Sequence, residues 1–203
     1  MPDTKWENYF RKKGYQLVAG VDEAGRGPLA GPVIAAAVIL PLRHRIKGLD
    51  DSKKLSAKQR EALFPLIQKK AISIGVGIVG PKTIDRINIL NASLYAMRLA
   101  IEQLAPQPHF ILIDGKFKII SDIAQKCLVK GDSISDSIAA ASIIAKVSRD
   151  KIMKKYDEVF PQYGFKSHKG YGTKKHIEEI FKNGPCEIHR QSFDPVRTLA
   201  ERL

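Results

Sequence analysis

Acidic side chains interrupt or end three apolar runs of the sequence. These residues are Asp22 and Glu23 in YQLVAGVDEA, Asp114 at the end of HFILID, and Asp132 shortly after KCLV. Neighbouring carboxylates repel each other and resist burial unless a cation lies close to them. Divalent cations such as Mg²⁺ and Mn²⁺ bind carboxylate oxygens, and pairs of them catalyse the hydrolysis of phosphodiesters. The four acids therefore predict a metal site suited to phosphoryl chemistry.

Each of these acids also has a purely structural interpretation. Asp114 precedes a glycine, as is common where a strand enters a turn, and Asp132 could cap the helix that follows it. In a straight strand Asp22 and Glu23 would point to opposite faces, so their joint use requires a strand end, a bulge or a twist. An ordinary surface strand, however, would not be flanked by VAGV and VIAAAVIL, which favours chemistry at this pair.

Other polar residues give weaker signals. Asp50 and Asp51 lie in the lysine-rich segment RHRIKGLDDSKK and are interpreted as a solvated turn, while Asp136 would face outward from the first turn of a helix. The five histidines are scattered along the sequence and the two cysteines show no ligand spacing, so we expect neither zinc nor a disulfide framework. The chain has no nucleophile elbow and no Walker motif, which argues against acyl transfer and nucleotide hydrolysis.

The composition indicates a polyanionic partner. The chain has 34 Lys and Arg against 21 Asp and Glu, a net charge of +13, which points to nucleic acid or, less often, to an acidic membrane surface. The longest apolar run, VIAAAVIL, is far shorter than the ~20 residues that span a bilayer, and the N-terminus has no apolar signal core, so we expect a cytoplasmic protein. Its 203 residues predict one domain over 1–203, with 151–203 as a basic helical extension packed on the same core.

Periodic apolar patterns predict alternating strands and helices. Strands are expected over 15–24 and 32–40 and in AISIGVGIV, HFILIDG and KCLVKGD. The S-x-x-Q pattern of Ser56 and Gln59 predicts the start of a helix, and one long helix with an apolar stripe is expected from Thr83. The small residues of SISDSIAAASIIAKV would let a further helix approach the sheet closely. This order indicates a mixed α/β sheet in which the acid-bearing strands end at one edge.

Seven blocks of the sequence occur in the order seen in a known family. They are GVDEAGRGPLAGPV, DDSKKLS, NILNASLYAM, LIDG, KGDSISDSIAAASIIAKVSRD, YGFKSHKGYGT and HRQSFDPV. Together these blocks, which cover nearly the whole chain, resemble bacterial type 2 ribonuclease H, ribonuclease HII. The resemblance implies an α/β fold of the ribonuclease H type, with a five-stranded mixed sheet flanked by helices. It also implies an endonuclease that cleaves the RNA strand of RNA–DNA hybrids and nicks duplex DNA at single embedded ribonucleotides, leaving 3′-hydroxyl and 5′-phosphate ends.

The resemblance also assigns roles to individual residues. It implies that two divalent ions, Mn²⁺ or Mg²⁺, are held by Asp22, Glu23, Asp114 and Asp132. The glycine-arginine-glycine element would contact the backbone around the ribonucleotide, and a tyrosine would pack on the sugar beside the cut; these residues are Gly25, Arg26, Gly27 and Tyr171. Glycines let main-chain groups approach a phosphate or a 2′-hydroxyl closely. Lys53 and Lys54 are candidate phosphate contacts, although a run of lysines is more often a solvated face.

Two alternatives bear on this assignment. A non-catalytic module that binds hybrids would have the same basic surface, with acids that only cap and turn. The related ribonuclease HIII resembles the same core but carries an extra N-terminal domain and lacks the arginine of the glycine-arginine-glycine element; because the first motif begins at Gly20, we do not expect that domain here. A monomer without a membrane partner is expected, and the sequence leaves open whether the C-terminal RTLAERL binds a sliding clamp or a polymerase.

Overall fold

A mixed sheet forms the centre of the protein in the computed structural model, which describes residues 1–200. Within these residues its strands, in chain order, are β1 (Val18–Ala24), β2 (Val33–Ile39), β3 (Ser73–Val79), β4 (Phe110–Asp114) and β5 (Ala124–Leu128). They lie side by side in the order β3-β2-β1-β4-β5. The expectation of an α/β protein with a five-stranded mixed sheet is confirmed.

The directions of the strands bring the acid-bearing ends together. β1 pairs antiparallel with β2, and β2 with β3, whereas β1 and β4 run parallel, as do β4 and β5. The register places Val21 of β1 beside Ile113 of β4, so the next residues of both strands, Asp22 and Asp114, reach the same edge of the sheet. β2 is buried along its whole length, as expected for a strand whose sheet is covered on both faces.

Helices cover both faces of the sheet. Before the C-terminal segment they are α1 (Lys5–Lys12), α2 (Ala57–Lys70), α3 (Pro81–Glu102) and α4 (Asp136–Val159). A Cβ atom added to Gly20 of β1 would lie 2.2 Å from the backbone nitrogen of Ile138, which confirms the expected close approach of the small-residue helix α4. On the other face, a Cβ atom on Gly77 would lie 2.0 Å from the carbonyl oxygen of Ala96 in α3. None of the helices in residues 1–200 combines the length and the apolar character that crossing a membrane requires.

Two helix predictions have different outcomes. α2 begins with the expected capping box, because the Ser56 hydroxyl accepts a hydrogen bond from the Gln59 N–H and the Gln59 side chain accepts one from the Ser56 N–H. The long helix predicted from Thr83 is present as α3, but it is broken at Asn88, which adopts φ 65° and ψ 166°. Oδ1 of Asn88 accepts a hydrogen bond from the N–H of Asn91 at 3.0 Å, so a second helical segment starts there. An apolar stripe that continues on both sides of such a break does not reveal it.

The C-terminal segment packs against the connection between β1 and β2. It contains a short 3₁₀ helix (Pro161–Tyr163), α5 (Phe165–His168), α6 (Lys174–Asn183) and α7 (Val196–Ala200). Its apolar side chains form a buried cluster with Leu29 and Ala30 of that connection and with Met153 of α4. The boundary expected at residue 151 falls inside α4, so the segment continues directly from a helix that covers the sheet. Residues 201–203, at the end of the expected extension and of RTLAERL, lie outside the described residues.

Candidate active site

Three aspartates from separate parts of the chain meet at one edge of the sheet. Asp22 lies in β1, Asp114 ends β4, and Asp132 lies in a short 3₁₀ helix (Gly131–Ser133) that follows β5. One carboxylate oxygen from each residue lies within 4.8 Å of the other two. Among residues 1–200, no other group of three or more His, Cys, Asp or Glu side chains meets this spacing. We call these three aspartates the acid cluster.

Backbone hydrogen bonds fix two of these carboxylates. Oδ1 of Asp114 accepts a hydrogen bond from the N–H of Gly131 at 2.7 Å, which ties the end of β4 to the turn that carries Asp132. Oδ1 of Asp22 accepts a hydrogen bond from the N–H of Glu23, also at 2.7 Å. A Cβ atom on Gly131 would lie 2.6 Å from a side-chain carbon of α4. Glycine at this position therefore lets the turn approach both α4 and the end of β4.

The acid cluster holds more negative charge than its surroundings neutralise. Burial raises the pKa of Asp22 well above its ordinary value, and the charges of Glu23 and Asp114 raise it further. Burial also raises the pKa of Asp114, and burial together with the charge of Asp114 raises the pKa of Asp132 to about 6. Carboxylate oxygens are the ligands that Mg²⁺ and Mn²⁺ prefer, and a bound cation would offset the repulsion among them. The residues present therefore fit a divalent metal ion.

Glu23 leaves β1 on the opposite face from Asp22. The ladder between β1 and β2 is regular here, with Glu23 opposite Ala35, and β1 ends one residue later. Oε1 of Glu23 accepts a hydrogen bond from Nη1 of Arg26 at 3.2 Å. Burial raises the pKa of Glu23 although Arg26 opposes the shift, and Glu23 lines a small cavity together with Asp114. Glu23 thus lies beside the acid cluster but is not a member of it. Asp22 and Glu23 stand at the end of β1, which is where both could act on the same metal ions.

Asp51 lies at the acid cluster, although the sequence indicated only a solvated turn for it. Its charge helps to raise the pKa of Asp132 and of Asp114. Oδ1 of Asp51 accepts a hydrogen bond from the N–H of Lys53 at 2.8 Å. The interpretation as a solvated turn is therefore incomplete for Asp51, which is half-buried and whose charge acts on the acid cluster. Only the path of the loop reveals this position, because the local sequence DDSKK is typical of exposed turns.

The two candidate lysines differ in their surroundings. Lys53 faces the acid cluster. Burial alone would lower the pKa of Lys53, but the charges of the nearby carboxylates, Asp22 and Asp51 foremost, raise it. Lys54 donates hydrogen bonds from Nζ to Oδ1 of Asp50 and to Oγ of Ser133, each at 3.2 Å. Lys53 therefore remains available to a phosphate near the cluster, while Lys54 already holds the loop against the turn that carries the third aspartate.

The glycine-arginine-glycine element and Tyr171 adjoin each other at the surface. Arg26 and Gly27 are exposed, and Tyr171 is 42% exposed. A Cβ atom on Gly27 would lie 3.9 Å from Cε1 of Tyr171. Gly25 adopts φ +98°, and a Cβ atom there would lie 2.2 Å from Nε of Arg149, so both its conformation and its packing require glycine. Of the residues that the resemblance assigned to ribonucleotide contact, Arg26, Gly27 and Tyr171 thus form one continuous surface, and Gly25 lies buried beneath it.

Two further expectations are corrected. Asp136 does not face outward, because its Oδ2 atom lies 3.0 Å from Nε2 of the buried His44. Three of the five histidines, although scattered in the sequence, lie together in space: His176 and His189 are buried with their Nε2 atoms 3.1 Å apart, and His168 stacks on His176 with 4.3 Å between ring centroids. Burial lowers the pKa of His176 and of His189 to about 4, so both rings are neutral at pH 7.

The sequence and the fold match proteins of one family. A family model described as Ribonuclease HII matches residues 19–196. A ribonuclease HII from Geobacter metallireducens is 56% identical over 192 residues, which cover 95% of this chain and 90% of the relative. A ribonuclease HII from Bacillus subtilis is 52% identical over 195 residues, which cover 96% of this chain and 76% of the relative. The crystal structure of ribonuclease H2 from Pyrococcus horikoshii aligns with a TM-score of 0.77 and 29% identity, covering 92% of this chain and 98% of that one.

Proposed function

Since the chain belongs to the ribonuclease HII family and is a ribonuclease H endonuclease, we propose that the acid cluster is its catalytic centre. The proposed substrates are RNA–DNA hybrids, cut in the RNA strand, and duplex DNA nicked on the 5′ side of single embedded ribonucleotides. The proposed products carry 3′-hydroxyl and 5′-phosphate ends. The observation that carries this proposal is the meeting of three carboxylates from β1, β4 and the turn after β5 within 4.8 Å.

The acid cluster, with Glu23 beside it, would hold two divalent ions, Mn²⁺ or Mg²⁺. The chemistry that such a pair supplies when bound is activation of the attacking water and stabilisation of the departing 3′ oxygen. The chain itself supplies the geometry. The Gly131 N–H keeps Asp114 aligned with the turn that carries Asp132, and burial of Asp22 and Asp132 limits screening of their charges by water.

Recognition of the nucleic acid is proposed for the surface beside the cluster. Arg26 and Gly27 would contact the backbone around the ribonucleotide, where the 2′-hydroxyl alone distinguishes RNA from DNA. Tyr171, adjacent to Gly27, would pack on the sugar next to the cut. Lys53 would contact the phosphate nearest the cluster, and Lys54 would act mainly by holding the loop in place.

The basic C-terminal extension, residues 151–203, would hold the duplex as part of the same domain. Lysines predominate among its charged side chains, and neutralising DNA phosphates releases counterions, so its contribution to binding should fall steeply with salt. We propose that one copy of the chain is sufficient for cleavage, because the acid cluster, the glycine-arginine-glycine element and Tyr171 all come from a single chain.

The direct test compares Asp22→Asn with Asp136→Asn on a duplex that contains one ribonucleotide. Asp22→Asn should abolish nicking while duplex binding persists, and EDTA should abolish nicking by the unaltered enzyme. Asp136→Asn alters a carboxylate that is not a member of the acid cluster and pairs with His44 instead, so nicking should continue. If Asp22→Asn turns over at the normal rate, the proposal is wrong. The alternative of a non-catalytic binding module predicts no product strand from any of these proteins.

A further inference from the structure

Two arginines lie buried beneath the glycine-arginine-glycine element without a carboxylate partner. Arg149 of α4 and Arg190 near the C-terminus are each 0% exposed. Neither forms an ion pair with any Asp or Glu in residues 1–200. Burying a guanidinium ion costs a large amount of free energy unless hydrogen bonds satisfy its donors. The acceptors of these donors therefore show what the two side chains hold in place. We call Arg149 and Arg190 the arginine clamp.

The acceptors of Arg190 are backbone carbonyl groups of the β1–β2 connection. Nη2 donates to the oxygen of Gly25 at 2.5 Å and to that of Gly31 at 2.9 Å. Nη1 donates to the oxygen of Arg26 at 2.8 Å, and Nε donates to that of Gly31 at 3.0 Å. One rigid, planar group thus fixes both peptide units of the glycine-arginine-glycine element.

Fixing these carbonyl groups also fixes where the neighbouring N–H groups point. In a trans peptide the N–H points opposite to the C=O of the same plane. The carbonyls of Gly25 and Arg26 point inward to Arg190, so the N–H groups of Arg26 and Gly27 point the other way. Both residues are exposed, and neither N–H donates a hydrogen bond to another residue in the described part of the chain. Two oriented donors therefore face solvent beside Tyr171.

Arg149 joins the same connection to the loop that carries Tyr171. Its Nη2, Nε and Nη1 atoms donate to the carbonyl oxygens of Ala30, Pro32 and Lys169, each at 3.0 Å. The N–H of Leu29 donates to the carbonyl oxygen of Gly170 at 2.8 Å, next to the same loop. Arg149 thereby sets the distance between the glycine-arginine-glycine element and the tyrosine that adjoins it.

We propose that the arginine clamp sets the specificity of the enzyme for ribonucleotides by holding the N–H groups of Arg26 and Gly27 toward the nucleic acid. Their ligand would be an oxygen of the ribonucleotide, either its 2′-hydroxyl or its adjoining phosphate. Arg149 and Arg190 are positioning residues in this role, since they lie beneath the recognition surface and act through it. The inference rests on the proposed function, which assigns that surface to ribonucleotide contact.

Both members of the clamp remain charged under ordinary conditions. Burial lowers the pKa of Arg149 to about 10 and that of Arg190 to about 9, and for Arg190 the charge of Arg149 adds to the shift. At pH 7 to 8 each guanidinium therefore stays protonated and can donate all of the hydrogen bonds to the backbone carbonyl groups.

The test measures discrimination in binding, with Asp22→Asn as the background so that the duplex is not cut. Affinities are measured for two duplexes that differ only in one 2′-hydroxyl, and their ratio is compared with and without Arg190→Lys. Lysine keeps the charge but cannot bridge three carbonyl groups, so the ratio should fall about tenfold or more toward unity. A loss of folded protein lowers both affinities alike and leaves the ratio unchanged, so an effect on stability alone would not produce this result.

Controls separate the possible outcomes. Arg98→Lys, an exposed arginine paired with Glu102 on α3, should leave the ratio unchanged. Arg190→Gly should lose discrimination and regain it with millimolar guanidinium chloride but not with sodium chloride at equal ionic strength. If Asp22→Asn alone fails to discriminate the duplexes, the proposed function of the surface is wrong. If it discriminates and Arg190→Lys keeps the full ratio, only the role of the clamp is wrong.

Discussion

The acid cluster and the arginine clamp are two groups of like charges, the first half-buried at Asp114 and buried at its other members, the second fully buried. The cluster includes Asp22 of β1, and the clamp binds carbonyl groups that follow β1 in the sequence. Burial shifts both away from the charged form: it raises the pKa of Asp132 to about 6 and lowers that of Arg190 to about 9. The hydrogen bonds of the arginine clamp are made within the protein, because each guanidinium donates to backbone carbonyl groups. The aspartates have few internal donors, and their charge remains for a ligand to neutralise.

This difference separates the sites by function. A group whose hydrogen bonds are complete within the protein stabilises the native structure, whereas an uncompensated cluster costs stability until its ligand binds. Substitutions in the acid cluster should therefore damage chemistry more than folding, and substitutions in the arginine clamp should damage folding and recognition together.

The largest effect is expected from Asp114→Asn. The amide oxygen can still accept the hydrogen bond from Gly131, but the negative charge that would hold a divalent ion is lost. Cleavage should fall about a thousandfold or more, since metal ions contribute several kcal/mol to such reactions. The melting temperature of the metal-free protein should stay the same or rise. Single-turnover nicking measures the cleavage rate, and thermal melting measures the stability. A strong loss of stability in Asp114→Asn would contradict the expectation that the acid cluster serves chemistry rather than folding.

In contrast to Asp114→Asn, Arg190→Met should destabilise the folded protein. Methionine fills part of the space but donates no hydrogen bond, so the carbonyl groups of Gly25, Arg26 and Gly31 lose a buried donor. The free energy of unfolding should fall by about 3 kcal/mol. Urea denaturation measures this change, with Arg98→Met on the exposed face of α3 as a control of similar size. Equal stability of the two variants would show that the clamp does not support the native structure.

The pH dependence of stability should reveal the uncompensated charge directly. Asp132 has an ordinary pKa of 3.8 and a folded-state pKa of about 6, so its protonation stabilises the folded protein below pH 3.8, and this stabilisation is lost as the pH rises to about 6. In EDTA, Asp132→Asn should match the unaltered protein near pH 3.5 and exceed it by on the order of 2 kcal/mol at pH 7. Comparing the two proteins cancels the opposite effect of the neutral His176 and His189, which both contain. An advantage that does not change with pH would refute the assignment.

The smallest effect is expected from the lysines that border the acid cluster. Lys53→Ala should lower cleavage about tenfold and reduce the salt dependence of binding, because it removes a cation from the phosphate path. Lys54→Ala should have a weaker effect, since Lys54 already pairs with Asp50 and Ser133. Nicking rates of both variants at several salt concentrations test which lysine matters more. A larger loss in Lys54→Ala than in Lys53→Ala would contradict this prediction.

The sequence predicts the acid cluster better than the clamp for physical reasons. Carboxylates inside apolar strands conflict with their surroundings, so Asp22 and Asp114 are visible as candidates, and the parallel pairing of β1 and β4 brings them together. The capping box of α2 and the close approach of α4 follow in the same way from local residue types. In each of these cases the residue types that form the contact are themselves visible in the sequence.

Arg149 and Arg190 give no such signal. In a chain with 34 Lys and Arg they resemble surface residues, and their partners are backbone carbonyl groups, which are the same at every position. Asp51 is hidden because only the path of its loop brings it to Asp132. The break at Asn88 is hidden because a single residue caps the second half of α3 without disturbing the apolar stripe.

The most direct test of the account measures Mn²⁺ binding to the protein without nucleic acid, by electron paramagnetic resonance of the free ion. The unaltered chain should remove Mn²⁺ from solution, and this binding should be lost in Asp132→Asn and retained in Asp136→Asn. Equal binding by all three proteins would contradict the claim that the three aspartates seat a divalent ion at the edge of the sheet.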